Sequence, residues 1–492
     1  MDLLLAHSFF LKNDPKQNEK MRPYSPLGTL YAASFLRDKG YEVAVFDAML
    51  SSGIAEFEAF LDRFEPRFLI LYEDQFHFLN KMCLLHSREE ACRMAQMARR
   101  RGCLVIAAGS DVSDHPEAYF GHGVQYVIAG ESEHTLGELI DSLSQRSSRA
   151  VEAIPGLVVP DEAYPGGVRR NVARTPERQP DVFPFPAWDL FDAPRYRRAW
   201  LDAHGYFSVN MATTRGCPFH CNWCAKPIWG QRYAMRSAAN VAEEMALVKN
   251  LIQPDHIWFA DDIFGLQTKW ILDFAGQVGA RGAHIPFTIQ SRADLMTEAA
   301  VTALAQAGCR EIWMGVESGS QKILDAMDKG IQLEQVVTSR ALLRRAGIRA
   351  CFFIQLGYPG ETFDDIVATA RLIRETLPDD IGVSVSNPLP GTKFYEMVKA
   401  QLGEKEHWQD SDDLAMMFEG TYTTPFYRML HKLIHRELEL LHGGASPAGL
   451  DEVRAAWREL SAAEAGYRSV RPTTVRKHYP MVSAPDLSKL WN

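Results

Sequence analysis

The first 142 residues alternate between short apolar runs and amphipathic stretches. Apolar runs fall at 2 to 6, 43 to 46, 68 to 72, 103 to 107 and 125 to 129, and helical periodicity fills about 26 to 39, 54 to 63, 87 to 101 and 133 to 144. Short apolar strands alternating with helices predict a doubly wound parallel sheet, which binds ligands beyond the carboxyl ends of its strands. Residues 146 to 206 are rich in Pro, Arg and Gly and read as a linker with short irregular strands, stiffened by Pro184-Phe185-Pro186. From 207 to about 397 the alternation resumes, with strands expected at 207 to 213, 256 to 260, 286 to 290, 311 to 316, 349 to 356 and 381 to 386, each followed by a helix. Beyond 398 it stops. Residues 423 to 442 and 449 to 464 are helical by periodicity, and Trp408, Met416, Met417, Phe418, Tyr422, Phe426, Tyr427 and Met429 form an aromatic and Met-rich stretch. These side chains pack a core or line a hydrophobic substrate pocket. The tail from Arg471 to Asn492 carries Pro472, Pro480 and Pro485.

The pattern predicts an α/β protein: a Rossmann or flavodoxin-like doubly wound domain over 1–145, a linker over 146–206, six strand and helix units over 207–397 and a helical region over 398–492. A chain of 492 residues is too long for one ordinary core, which agrees. The hydrophobic fraction of 46% and charged fraction of 23% are those of a soluble globular protein. A net charge of -9 argues against an electrostatic hold on nucleic acid. The short basic run Arg195-Tyr196-Arg197-Arg198 reads as a solvated helix face. The N-terminus lacks a basic region and a small-residue cleavage site, and no run has the apolar length of a membrane span. Eight cysteines without a framework of spacings suit a reduced, cytoplasmic chain.

Chemistry concentrates in Arg215-Gly216-Cys217-Pro218-Phe219-His220-Cys221-Asn222-Trp223-Cys224. C-x-x-x-C-x-x-C spacing directly after an apolar run puts three thiolates in one loop at a strand end. Thiolates are the ligands of iron-sulfur clusters, and three of them leave one iron of a [4Fe-4S] cube open. A structural zinc site is normally closed by four ligands. His220 adjoins Cys221, and the other five cysteines lie far off in sequence, so no fourth ligand is evident. Gly216 and Pro218 suit a tight loop.

The spacing, with an aromatic just before the last cysteine, resembles the signature of the radical S-adenosylmethionine (SAM) superfamily. The resemblance implies that the six units over 207–397 form a (β/α)6 partial barrel, that Cys217, Cys221 and Cys224 hold the cluster and that the barrel's other strand ends hold SAM, since chemistry in such barrels collects there. Asp261 and Asp262 end the second strand, where the family holds the methionine amine. Gln290 and Arg292 follow the third, with Arg292 either pairing with the SAM carboxylate or sitting in an ordinary ion pair. Glu317 and Ser318 end the fourth, Glu317 facing the ribose hydroxyls. Gln355 and Gly357 open the Gln355-Leu356-Gly357-Tyr358-Pro359-Gly360-Glu361 segment, which resembles the one lying along adenine. Trp223 stacks on the adenine or packs on the barrel. Cys309 and Cys351 read as small buried hydrophobes, with a substrate-side radical role left open for Cys351.

The N-terminal loops carry Pro26-Leu27-Gly28, Gly109-Ser110-Asp111 and Gly130-Glu131-Ser132-Glu133. Glycine there permits close approach of a ligand, while the G-x-G-x-x-G dinucleotide fingerprint is absent after the first strand. The pattern resembles the cobalamin-binding domain found before many radical SAM enzymes, which implies cobalamin contacts at Pro26, Leu27, Gly28, Gly109, Ser110, Gly130 and Glu131. The Asp-x-His-x-x-Gly motif is missing, and Asp114-His115-Pro116 does not match it, so the resemblance implies no protein histidine as lower axial ligand.

Taken together the resemblances imply an enzyme that cleaves SAM reductively to a 5′-deoxyadenosyl radical. They further imply methyl transfer through cobalamin to an unactivated carbon of a small or lipid-like substrate, with electrons from a flavodoxin or ferredoxin type donor. A cyclase or rearrangement enzyme with the same cofactors is the alternative. A methylthiotransferase needs a second three-cysteine set, which the irregular spacing of Cys83, Cys92 and Cys103 does not supply. A non-catalytic cobalamin or metal sensor is the reading from outside enzymes.

Overall fold

The computed structural model describes residues 2–77, 85–226, 228–403, 414–444 and 447–469. Cys83, Trp408 and the tail with Pro472, Pro480 and Pro485 lie outside the described residues. The chain divides into two compact units. One comprises Met1–Pro218, Lys226–Phe264 and Asp273–Phe287; the other comprises Phe219–Ala225, Gly265–Leu272 and Thr288–Asn492.

In the first unit, β1 (Leu3–Ala6), β2 (Val43–Phe46), β3 (Phe68–Tyr72), β4 (Leu104–Ala108) and β5 (Tyr126–Ile128) form the parallel part of a sheet. Their order is β2-β1-β3-β4-β5, that of a flavodoxin-like fold. The unbroken apolar runs follow from burial on both faces. Leu3 and Leu5 pack with Leu36, Leu136, Leu139 and Ile140 on one side. Leu4 and Ala6 pack with Phe57, Leu61, Ala91 and Met94 on the other. Each such leucine is fully buried, contributing about 1.5–3 kcal/mol. The helices that supply these partners, Leu27–Asp38, Ile54–Phe64, Leu85–Arg100 and Glu133–Leu143, lie within two residues of the periodicity.

Two differences from the pattern stand out. β6 (Leu157–Pro160) runs antiparallel to β5 and β7 (Val168–Arg170) antiparallel to β6, so the same sheet runs on past residue 145 into the stretch read as linker. Their few residues with intervening Pro and Gly gave no period-2 signal to find. The basic run lies on the helix Ala193–His204 and is not simply solvated: Arg195 donates to the Leu50 carbonyl, Arg197 to the Ile252 carbonyl at 2.7 Å, and Tyr196 is buried.

The barrel sheet has six strands in the order β15-β14-β13-β12-β11-β8: β8 (Ser208–Met211), β11 (His256–Phe259), β12 (Phe287–Ser291), β13 (Cys309–Glu317), β14 (Arg349–Leu356) and β15 (Asp380–Val385). β8 with β11, β13 with β14 and β14 with β15 are parallel. Between β8 and β11, a two-residue ribbon pairs β9 (Thr214–Arg215) with β10 (Ala234–Met235). In the second unit, helices Thr424–His442 and Pro447–Ala463 follow the sheet, and Met416, Met417, Phe418, Tyr422, Phe426 and Tyr427 are buried there. No helix among the described residues is long and apolar enough to cross a membrane.

Candidate active site

The stem of the cysteine loop is fixed in the first unit. Arg215 pairs with Ala234 across the ribbon, and Gly216 follows at φ 79°, where a Cβ would collide with the Arg232 carbonyl oxygen. Glycine is required there on both counts. Asp261, at the end of β11, accepts from the Thr213 amide at 2.7 Å, the Thr213 hydroxyl at 2.6 Å and the Thr214 amide at 2.8 Å. Burial lifts its carboxyl to about 6 against those hydrogen bonds. Both Asp261 oxygens are thus engaged by the strand end that leads to Cys217. Asp262 is exposed.

Arg215 itself is buried between two carboxylates, Nη1 to Glu131 at 2.8 Å and Nη2 to Glu133 at 2.7 Å. The other Glu131 oxygen accepts from the Glu177 amide at 2.6 Å. Arg236 is likewise buried, paired with Glu244 and donating to the Tyr31 hydroxyl at 3.0 Å.

In the second unit Asn222, between the second and third cysteines, is held from four directions. Its amide N–H donates to the Met327 carbonyl at 3.0 Å, its Nδ2 to the Ala326 carbonyl at 2.7 Å, its Oδ1 accepts from the Tyr358 hydroxyl at 2.8 Å, and its carbonyl accepts from the Phe394 amide at 3.0 Å. Phe219 lies under the Arg292 guanidinium at 3.8 Å. Arg292 is buried and donates to Asp294 at 2.9 Å and to the Lys329 carbonyl at 2.9 Å, the ordinary ion pair being the one observed. Lys329 donates to Glu317 at 2.7 Å. Burial works against the Lys329 charge, but Glu317 and the nearby Cys221 sulfur outweigh it and raise its pKa. Glu317 stands in left-handed backbone, φ 63°, where β13 slips register against β14.

Ser318 lies within hydrogen-bond reach of Thr369, which also accepts from the Gly319 amide at 2.9 Å. Gln355 donates to Ser386 at 3.1 Å, while its Oε1, like the Trp223 Nε1, is buried with no hydrogen-bond partner among the described residues. Gly357, at φ 76°, donates to Glu361 at 2.7 Å. Gln290 is half-buried at the end of β12. Cys309 and Cys351 are buried in strands, with burial pushing both thiols up, so packing explains them.

Cys217 is buried, Cys221 and Cys224 are half-buried, and all three thiols are free of disulfides. Among the described residues no three His, Cys, Asp or Glu side chains converge to hold a single metal ion. As a donor set, three cysteine thiols suit an iron-sulfur cube with one open corner, whereas a structural zinc site is normally closed by four ligands.

At the N-terminal sheet the spaces beside the glycines are filled by protein. The Leu27 and Gly28 amides donate to Asp74 at 3.1 and 3.0 Å, and Pro26 precedes them at the helix start. A Cβ on Gly109 would meet the Glu73 side chain at 2.7 Å. Ser110 is buried at the start of a five-residue helix, and a Cβ on Gly130 would lie 3.5 Å from the Ile228 carbonyl. The switch point of the sheet, between β1 and β3, is where such folds bind ligands. There His7 Nδ1 and Ser8 Oγ are buried with no hydrogen-bond partner among the described residues, and the sequence singles out neither. Asn222, Tyr358 and Lys329 were missed as well.

The family model "Radical SAM superfamily" matches residues 211–373. An uncharacterized methyltransferase of Pyrococcus horikoshii is 27% identical over 377 residues, covering 75% of this chain and 78% of that protein. The structure of the radical SAM methyltransferase TsrM from Kitasatospora setae, with cobalamin and a [4Fe-4S] cluster bound, matches at TM-score 0.63 and 20% identity, covering 78% of this chain and 72% of its own. The cobalamin-dependent radical enzyme OxsB, with aqua-cobalamin and S-adenosylmethionine bound, matches at TM-score 0.69 and 18% identity, covering 93% and 70%. Across residues 211–373 the chain therefore carries a radical SAM superfamily domain.

Proposed function

We propose that this chain is a cobalamin-dependent radical SAM enzyme that methylates carbon, with Cys217, Cys221 and Cys224 as the ligands of a [4Fe-4S] cluster. The observation that carries this reading is the three-cysteine loop itself, its cysteines outside any disulfide and its backbone secured at Gly216 and Asn222. When bound, the cluster supplies the electron that splits SAM into methionine and a 5′-deoxyadenosyl radical. The protein's part is to position and to exclude water. Asp261 fixes the approach to Cys217 through Thr213 and Thr214. Asn222 fixes the turn between Cys221 and Cys224. Gln355 Oε1 and Trp223 Nε1 offer one buried acceptor and one buried donor to SAM. His7 Nδ1 and Ser8 Oγ offer polar contacts to cobalamin at the sheet's switch point. The methyltransferase relative and the TsrM fold likeness support methyl transfer over rearrangement.

Anaerobic reconstitution with iron, sulfide and hydroxocobalamin, followed by mass spectrometry, tests this. The reading requires both 5′-deoxyadenosine and S-adenosylhomocysteine under dithionite. 5′-Deoxyadenosine alone would replace methylation by rearrangement or cyclisation, and neither product, with zinc retained, would make the loop structural.

A further inference from the structure

A cavity of about 400 Å³ opens beside the stem of the cysteine loop, entirely within the first unit. Its lining includes the aromatic Trp229 and Tyr233 and the charged Glu177, Arg178, Arg215 and Arg232. The arginines differ in what they do. Arg215 is neutralised by Glu131 and Glu133, and Glu177 accepts from the Arg178 and Gln179 amides at 2.8 and 2.9 Å, so its carboxylate is engaged by backbone. Arg178 and Arg232 are exposed, and neither makes an ion pair among the described residues. Two unneutralised guanidiniums facing one hollow are notable on a chain of net charge -9. Guanidinium forks match carboxylate and phosphate oxygens and stack on planar rings, and an aromatic wall adds a platform for a planar group.

The cavity is also coupled mechanically to the loop. Gly216, the residue before Cys217, sits so tightly on the Arg232 carbonyl that no side chain fits between them, and its added Cβ would lie 3.1 Å from Trp229 Cβ. Trp229 in turn packs on Phe76 at 5.3 Å between ring centroids. We propose that this cavity binds the anionic group of a planar aromatic substrate, Arg178 and Arg232 gripping a carboxylate or phosphate while the ring lies against Tyr233 and Trp229. This names the substrate class of the enzyme proposed above and rests on that reading for the word substrate. The binding itself does not depend on it.

The test is isothermal titration of the reconstituted full chain with three probes of one shape: naphthalene-2-carboxylate, 2-naphthyl phosphate and the neutral naphthalene-2-carboxamide. At least one anion should bind tenfold or more tighter than the carboxamide, the scale of a charge-assisted contact, and the tighter one identifies the headgroup. The double variant Arg178→Gln with Arg232→Gln, its fold checked by thermal melting, should lose that preference. Equal binding of acid and amide, or a preference that survives in the double variant, overturns the proposal. Reductive SAM cleavage by the wild-type sample is recorded alongside. Cleavage without anion preference sinks the cavity alone, and anion preference without cleavage sinks the radical reading alone.

Discussion

The Tyr358 hydroxyl donates to Asn222 Oδ1 at 2.8 Å across 136 residues of sequence, joining the loop after β14 to the turn between Cys221 and Cys224. Both residues are buried, so neither finds water as a substitute. Tyr358→Phe leaves the amide oxygen unsatisfied and is expected to cost about 1–3 kcal/mol. Asn222→Ala removes three side-chain bonds, to the Ala326 carbonyl, to Asp328 and from Tyr358, and should cost more. Urea denaturation measures the loss, and iron per chain after reconstitution should fall in the same order.

Gly216→Ala is expected to be more damaging than its size suggests. The substitution adds a methyl group against a backbone carbonyl at a positive φ, and both strains act at the residue before Cys217. The variant should fold its N-terminal sheet but bind less than half the wild-type iron, read by absorbance and metal analysis.

Arg215→Met leaves Glu131 and Glu133 buried without a counter-charge. Removing one partner of a buried ionic group typically costs about 3–5 kcal/mol, whereas replacing the whole group is much milder. Arg215→Met with Glu131→Gln and Glu133→Gln should therefore recover a large part of the stability lost by the single variant. A triple variant no more stable than the single would mean that the ion pairs are not what holds this junction.

Glu361 carries a pH dependence of definite sign. Burial lifts its carboxyl from 4.5 to about 8, opposed by the hydrogen bond from the Gly357 amide. The folded state thus keeps a proton that the unfolded state has lost. The Glu361 contribution to stability is fully present below pH 4.5 and declines as pH rises toward 8. Glu361→Gln, which keeps the shape and cannot ionise, should flatten that decline, so that its stability relative to wild type grows between pH 5 and 8 in denaturant titrations. A constant difference across this window would refute the assignment.

The strands were legible because period and length suffice for them: β2, β3 and β14 begin and end where the apolar runs do. The cysteine loop was legible because spacing carries its chemistry. β6 and β7 were not, being three or four residues long and paired at a sheet edge. Asn222 and Lys329 were hidden for a different reason. Their roles lie in partners set by the fold, Tyr358 for one and Glu317 for the other, and a single asparagine or lysine has no periodicity to betray it. The glycines at 28 and 109 have Asp74 and Glu73 as close neighbours, contacts that only the fold reveals. A glycine reports that something comes close without saying what.

Glu131 grips Arg215 with one oxygen and the Glu177 backbone with the other, so one side chain pins three distant stretches of polypeptide. Excising residues 1–206 to obtain a minimal catalytic fragment would strip Arg215 of both its carboxylates and Trp229 of Phe76. The radical SAM segment of this chain is consequently not a portable cassette, and engineering that swaps its N-terminal half must transplant the Glu131 and Glu133 positions with it.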